Sequence, residues 1–511
     1  MSAGFLFSIV IIYFLLLLFV AWRTGKNSNN DSFFIGNRSS NWMLVAFGMI
    51  GTSLSGVTFI SVPGTVGKMT TGAYPYGAFE YYMMVAGFFI GYFIVAGVLL
   101  PLYYRMNLTS IYTYLGRRFN VEAHKIGSIF FIISRSIGAT ARLYLVVNVL
   151  QIFLLEQMGV PFWLTSAVLL LMVLLYTFEG GVKTIVITDT LQTTFMIISL
   201  IACIGYVLSK MDWSMGQAFA ELSNRDYTRV LNLDPTSKTF FLKTILGGMF
   251  ITIAMTGLDQ EMMQKNISVD NVKNAKKNMI TFSFTLLFVN LAFLFLGGLL
   301  YLYAQKEGGF YTDTGFVLAK GGTSVMGDDL FPALSLQGHF PGIITVIFVI
   351  GLISALFPSA DGALTAVTSS FCVDLLNIKD NNKLDEKQKK RLRMRVHLTF
   401  TLIFFILIMV FKAINNKGIV YLIMEVAGYT YGPLLGLFAF GIFTKRVITQ
   451  RYAILAVTLS APVVTYLINH FVSAYTPYQF GVELIILNGL ITFLGLYAVS
   501  RKEAQQNIAG Y

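Results

Sequence analysis

The chain has 511 residues, of which 56% are hydrophobic and only 12% charged, with a mean hydropathy of +0.69. A soluble globular chain carries about a quarter charged residues, so this composition excludes one and points to a lipid bilayer as solvent. The formal net charge of +12 would suggest nucleic acid in a soluble protein. Here the basic residues fall in short loops between apolar runs, where they set orientation, and no nucleic-acid partner is expected.

Runs of roughly 17 or more apolar residues lie near 4–22, 44–66, 73–101, 126–155, 162–178, 184–209, 241–262, 278–304 and 339–372. Four more lie near 397–413, 419–442, 452–472 and 480–499. The expectation is an all-α polytopic membrane protein of about 13 transmembrane helices, read as a single transporter domain over 1–511. The first run has no basic residue before it and no small-residue cleavage pattern after it, so it reads as a retained helix and not a signal peptide. Cys203 and Cys372 lie in or beside apolar runs and imply no disulfide framework.

The second run contains Phe47–Gly64, FGMIGTSLSGVTFISVPG, where Gly48, Gly51, Gly56, Pro63 and Gly64 alternate with Thr52, Ser53, Ser55 and Thr58. Backbone carbonyls freed at membrane depth persist only where protein or a watery cavity satisfies them. Two readings fit these residues: a broken helix lining a solute or ion site, and close packing of neighbouring helices on small side chains.

Polar residues recur within later runs. Arg135 and Arg142, seven apart in 126–155, share a helix face. Each costs roughly 2.5–3.5 kcal/mol near a bilayer centre, so each should face a cavity or a partner. Arg135 would reach the interface or a carboxylate such as Asp189 or Glu179. Arg142 is either the fork for an anionic substrate group or half of a structural ion pair. Asp189 and Gln192, at i and i+3, suit cation coordination or a buried hydrogen-bond network. In SALFPSADGALTAVTSS, Ser354, Asp361, Thr365 and Thr368 line one face, whereas Ser359 joins Asp361 at one ion only if Pro358 deforms the helix. A freed carbonyl with hydroxyl and carboxylate oxygens is the all-oxygen chemistry that hard cations prefer. Glu80 and Glu425 also fall within runs, and neither is assigned a role.

Charge asymmetry sets the orientation. With the N-terminus outside, inside loops hold 25 basic residues, outside loops 8 and the spans 4, which gives N-out, C-in. The inside set includes Lys265 and the run Lys383–Arg395, KLDEKQKKRLRMR, read as lying at the cytoplasmic surface near anionic lipid. The long outside loops, 210–240 and 305–338, either cover an outer vestibule or are plain surface. No nucleophile–base set, zinc pattern or phosphate loop is present, so no enzyme is expected.

Five stretches together resemble the sodium:solute symporter family. They are DSFFIGNRSSNW (Asp31–Trp42), TSIYTYLGRRF (Thr109–Phe119), the Gly180–Gln192 stretch ending TDTLQ, DQEMMQKNISVDNVKNAKK (Asp259–Lys277) and YGPLLGLFAFGIFTKR (Tyr431–Arg446). The resemblance implies a five-plus-five inverted-repeat transporter fold, with a leading helix (4–22), a first repeat (44–209), a second repeat (241–442) and two trailing helices (452–499). It implies sodium (Na+) as the co-transported ion, held by the carbonyls of Gly51, Leu54 and Ala355 and the hydroxyl of Ser359. Pro358 stands where the family often has a hydroxyl residue. Asp189 and Asp361 would compensate or form a second sodium site, though Gly362 stands where two-site members often have Ser. Substrate would meet Ser53, Ser55, Thr58 and Arg142.

The run TSLSGVTFISVPG resembles sialic-acid transporting members more than sugar or proline ones, and monocarboxylate and iodide carriers share parts of it. The expected protein is a multi-pass symporter of the plasma (cell inner) membrane importing a small carboxylate-bearing solute, sialic acid or a monocarboxylate, with sodium. The alternatives are proton coupling through Asp361 or Glu425, and a passive channel or solute sensor on the same scaffold.

Overall fold

The computed structural model describes residues 3–25, 33–34, 36–67, 77–312, 315–318, 324–325, 327–378, 383–414 and 419–502. Several residues singled out above lie outside this set: Asp31, Ser32 and Ile35 of the first motif, residues 73–76, and Lys26, Lys68, Lys320, Lys379 and Lys417. The side chains of Glu179 and Tyr421 are also outside it.

Apolar runs become helices because in lipid each backbone group must be satisfied within its own segment. In order these are α1 (Ala3–Gly25), α2 (Trp42–Ser53), α3 (Gly56–Thr65), α4 (Tyr81–Arg105), α5 (Val121–Met158), α6 (Phe162–Thr177), α7 (Thr184–Met211), α8 (Phe241–Gly257) and α9 (Gln260–Ile267). They continue with α10 (Val272–Lys306), α11 (Gly342–Leu375), α12 (Glu386–Ile414), α13 (Ile419–Thr430), α14 (Gly432–Phe443), α15 (Ala453–Tyr475) and α16 (Leu484–Val499). Eight are long and apolar enough to cross a membrane alone, and up to 11 spans result if each bent pair counts as one; α6 and α16 are shorter apolar helices. Asparagines start several of them: Asn41, Asn120 and Asn271 each accept a hydrogen bond from a first-turn N–H.

Three spans are bent at a break, of which α13–α14, at 43°, is the mildest. Between α2 and α3 the axis turns by 56° at Leu54–Ser55, and between α8 and α9 by 63° at Leu258–Asp259. The breaks treat their freed carbonyls differently. At the second, the Tyr103 hydroxyl donates to the Gly257 carbonyl (2.8 Å) and the Tyr112 hydroxyl to that of Leu258 (2.9 Å). At the first, no side chain among the described residues donates to the carbonyls of Gly51 or Leu54. Small residues there also permit close packing: a Cβ on Gly51 would collide with Thr193 of α7, whose hydroxyl receives the Gly51 N–H at 3.0 Å. The helix is thus broken here, and its small residues do permit close packing.

α11 packs most extensively on α6 and α7, and α8 on α4, which builds the core around the two breaks. Pro358 leaves α11 helical throughout. The long loops are folded against this core. Three short strands, β1 (Phe310–Thr312), β2 (Gly315–Val317) and β3 (Ser324–Val325), pair into an antiparallel sheet. The helix Gly327–Leu336 presses on the end of α3, where the Gly327 carbonyl leaves no room for a side chain at Gly64. The basic run 383–395 begins α12, but Arg393 is buried with its guanidinium 4.0 Å above the Phe33 ring, so the run is not wholly a surface feature.

α6 and α7 meet at Gly181, whose φ of 54° and ψ of −151° belong to a region essentially reserved for glycine. A Cβ there would also strike the Phe33 backbone. Gly181→Ala should cost about 2 kcal/mol or more and lower the detergent-solubilised unfolding midpoint by several degrees. An unchanged midpoint would show that the kink relaxes freely.

Candidate substrate and ion site

The broken spans line a cavity of about 100 Å³ that is partly open to solvent. Ser53, Ser55, Thr58 and Arg142, the four residues expected to meet substrate, all line it. Thr252, Thr256 and Asn290 add polar groups from α8 and α10, and Tyr81, Phe88, Tyr92 and Ile423 supply aromatic and apolar wall. The Tyr92 hydroxyl lies within hydrogen-bonding reach of Ser53, Thr252 and Thr256. A mostly apolar wall with a few convergent polar groups is the usual make-up of a small-molecule site.

The two arginines of α5 have different fates. Arg135 is 3% exposed, and its guanidinium pairs with Glu261 and stands 3.8 Å from Asp259. The sequence reading named Asp189 or Glu179 as its partner, and α9 supplies both carboxylates instead. Both carboxylates lie at the end of the run 241–262, and the sequence reading assigned neither a role within the membrane. Arg142, about two turns further along the same face, has no hydrogen bond or ion pair among the described residues and lines the cavity. A structural ion pair for Arg142 is thereby not found.

Below these, charge is concentrated. Asp189 of α7 accepts from Lys265 Nζ at 2.6 Å and from the Thr52 hydroxyl at 3.1 Å. Lys265 also donates to Thr52 Oγ1 at 2.6 Å and stands 3.8 Å from Glu261. Asp259 caps α9 through the N–H groups of Glu261 (2.9 Å) and Met262 (3.2 Å) and accepts from the Tyr431 hydroxyl at 2.7 Å. Lys265, counted from sequence among cytoplasmic-loop cations, is 2% exposed. The apolar run had already ended, so hydropathy placed it in a loop. The signal that would have found it is the polar run Asp259–Asn266 directly after a Gly-interrupted span.

The residues expected to hold sodium fall into two groups. Gly51 and Leu54 sit at the uncapped first break. The Ala355 carbonyl faces that break, 4.0 Å from where a Cβ on Gly56 would stand. The Ser359 hydroxyl is buried with no hydrogen-bond partner among the described residues. Asp361, by contrast, accepts from the Tyr176 hydroxyl at 2.6 Å, and its face-mates Ser354 and Thr368 bond Tyr13 and His397. The undeformed helix thus turns Ser359 and Asp361 to different neighbours. Among the described residues no group of three His, Cys, Asp or Glu that could hold a metal ion occurs. Of the unassigned carboxylates, Glu80 pairs with Arg229 at 3.0 Å and Glu425 is exposed.

Removing one member of a buried ion pair strands the other in a low-dielectric interior and costs about 3–5 kcal/mol, whereas replacing both is far milder. Arg135→Met and Glu261→Leu should each lower the unfolding midpoint more than the double variant does, read by a double-mutant cycle in detergent. Strictly additive losses would mean the pair is not coupled.

The motifs quoted from sequence converge in space. Gln260 of α9 bonds the Ile111 N–H and the Thr109 carbonyl, both at 3.0 Å, and Arg118 donates to the carbonyls of Gly441, Thr444 and Arg446 beyond α14. Comparison with known proteins gives the same grouping. The sodium/sialic acid symporter NanT of Aliivibrio fischeri is 23% identical over 436 residues, covering 82% of this chain and 79% of that protein. Sodium-coupled monocarboxylate transporter 1 of Mus musculus is 24% identical over 429 residues, covering 83% and 66%. A solved Na+-coupled sialic acid symporter in a substrate-bound outward-open state superposes with a TM-score of 0.79 at 18% identity, over 98% of this chain and 99% of that one. A closed conformation of Mhp1, a nucleobase-cation-symport-1 family transporter, aligns at 0.54 with 11% identity over 93% and 95%. The model of the sodium:solute symporter family matches residues 33–458, and the chain belongs to that family.

Proposed function

We propose that this chain is a secondary active symporter that imports a small carboxylate-bearing solute together with sodium, by alternating access. The observation that carries this reading is Arg142: it lines the cavity together with Ser53, Ser55 and Thr58 and has no hydrogen bond or ion pair among the described residues. A planar fork matches a carboxylate bidentately, and serine and threonine hydroxyls both donate and accept toward the rest of a polar solute. Relatives named as sialic acid and monocarboxylate carriers fit that chemistry.

Sodium would sit at the first break, on the carbonyls of Gly51, Leu54 and Ala355 and the hydroxyl of Ser359. Carbonyls left uncapped there and a buried hydroxyl without a partner make an all-oxygen site for a hard cation. Because α2 and α3 carry both the ion ligands and the substrate hydroxyls, ion binding would order the substrate site. Counting each broken pair as one span and adding α6 and α16 brings the helices to thirteen. With the basic loops inside, the chain is N-out and C-in in a plasma or bacterial inner membrane, in two inverted five-helix repeats (44–209 and 241–442). In that orientation the ion cluster around Lys265 lies in the cytoplasmic half, and inward opening must part it.

The driving force suffices. One charge crossing 100 mV supplies ~2.3 kcal/mol and a tenfold sodium gradient ~1.4 kcal/mol, which supports roughly 500-fold accumulation per sodium.

A thermal-shift panel of sialic acids, short monocarboxylates, amino acids and neutral sugars, in sodium and in choline, tests the reading. A true ligand at 100 times its Kd stabilises by about 2.7 kcal/mol. The expected hit is an acid that acts only in sodium, with the response abolished in Arg142→Lys and shifted to higher sodium in Ser359→Ala. A neutral sugar as sole hit would make Arg142 structural, and a response indifferent to sodium would favour protons.

A further inference from the structure

We infer that the Lys265 ammonium is a built-in cation standing where a second sodium would bind, so that this chain carries a single exchangeable sodium site. The inference rests on the sodium-symport reading above and assigns its stoichiometry.

Four observations carry it. First, Asp189, the one carboxylate in the TDTLQ motif, is already neutralised: Lys265 Nζ lies 2.6 Å from its Oδ2. Second, the ammonium takes a hydroxyl that a metal ion would otherwise use, since Thr52 Oγ1 is also 2.6 Å from Nζ. A carboxylate, a hydroxyl and a second carboxylate (Glu261, 3.8 Å) surround one positive charge in a buried pocket, which is the environment of a bound alkali ion with nitrogen in its place. Third, Glu261 Oε1 crowds the position where a Cβ on Gly362 would stand, so a side chain at 362 could enter beside Asp361 only if this carboxylate moved. Fourth, Asp361 is held by Tyr176 and still acts electrostatically on Lys265. The remaining charges facing the cluster, Arg135 and Asp259, neutralise each other and Glu261.

A tethered cation differs from a free one in one respect that matters for transport. It cannot be released to the cytoplasm, so it adds no driving force per cycle. It does keep Asp189 and Glu261 compensated when the sodium at the first break departs. The first-break site shares no ligand with this cluster: Ser359 is unpartnered, and Lys265 reaches Thr52 through its side chain and not its carbonyl.

The test counts sodium directly. Purified full-length protein in nanodiscs is titrated with radioactive sodium alone, and bound ions per transporter are measured by scintillation proximity. The wild type should bind about one, with a Hill slope near one. Lys265→Ala removes the internal cation and should bind about twice as much, with sodium-dependent stabilisation correspondingly steeper. Lys265→Arg, which retains a fixed charge, should stay at the wild-type count, as should Lys265→Ala combined with Asp189→Ala. Two sodium ions on the wild type would overturn this inference while leaving symport intact, and that count stands even if Lys265→Ala does not fold. A folded Lys265→Ala protein that still binds one would overturn it as well. No sodium on the wild type would sink the symport reading, and this inference with it.

Discussion

A charge buried in a low-dielectric interior must be compensated on the spot, and the central architecture follows from how that is arranged. Asp189, Lys265, Glu261, Arg135, Asp259 and the Tyr431 hydroxyl form one continuous chain of contacts. Its members come from α7, α9, α5 and the start of α14, and Thr52 of α2 joins at one end. No single link is replaceable by water, because every charged group in it is 3% exposed or less. The register of α9 against α2, α5 and α7 is thus fixed electrostatically, and α9 can be displaced only if several partners move together. Such coupling favours two discrete arrangements over a continuum.

The two broken spans start from the same physical problem and resolve it differently. Interrupting a helix in lipid frees carbonyls that must find donors. At Gly257–Leu258, Tyr103 and Tyr112 reach in from the third span and the loop after it, and the break becomes a fixed joint. At Leu54–Ser55 the corresponding carbonyls keep their lone pairs, with a buried unbonded serine on the facing helix. One break is completed by the protein; at the other, no side chain among the described residues donates to the freed carbonyls, and on the proposed function that is where sodium would bind.

Most of the fold was legible in the sequence because hydropathy and glycine placement act locally. Long apolar runs had to be helices, and Gly/Ser/Pro interruptions marked the first break. Gly247–Gly248 and Thr256–Gly257 precede the second. The charge cluster was only half legible. Asp189 and Arg135 stood out because they sit inside apolar runs. Lys265 and Glu261 lie on an eight-residue helix with five polar residues, and a hydropathy window reads such a segment as a loop. Its burial comes from neighbours distant in sequence: Phe34, Thr109, Ile111 and Ser369 bond its glutamines from three other segments. Partner identity across 76 residues, as between Asp189 and Lys265, is a tertiary fact with no local trace.

The same logic separates the two arginines that the sequence placed on one face. Seven residues of helix bring them into line, but the partners they meet depend on what packs opposite. Arg135 meets the N-terminal turn of α9, where Asp259 and Glu261 are presented together with the cap of that helix. Arg142 meets only the cavity and the hydroxyl-bearing turn after the first break. An isolated guanidinium in that position is costly in lipid, and the chain bears that cost on the helix that also carries the paired arginine. On the proposed function, an anionic substrate entering the cavity would compensate that charge, whereas the cluster around Lys265 is already neutralised from within.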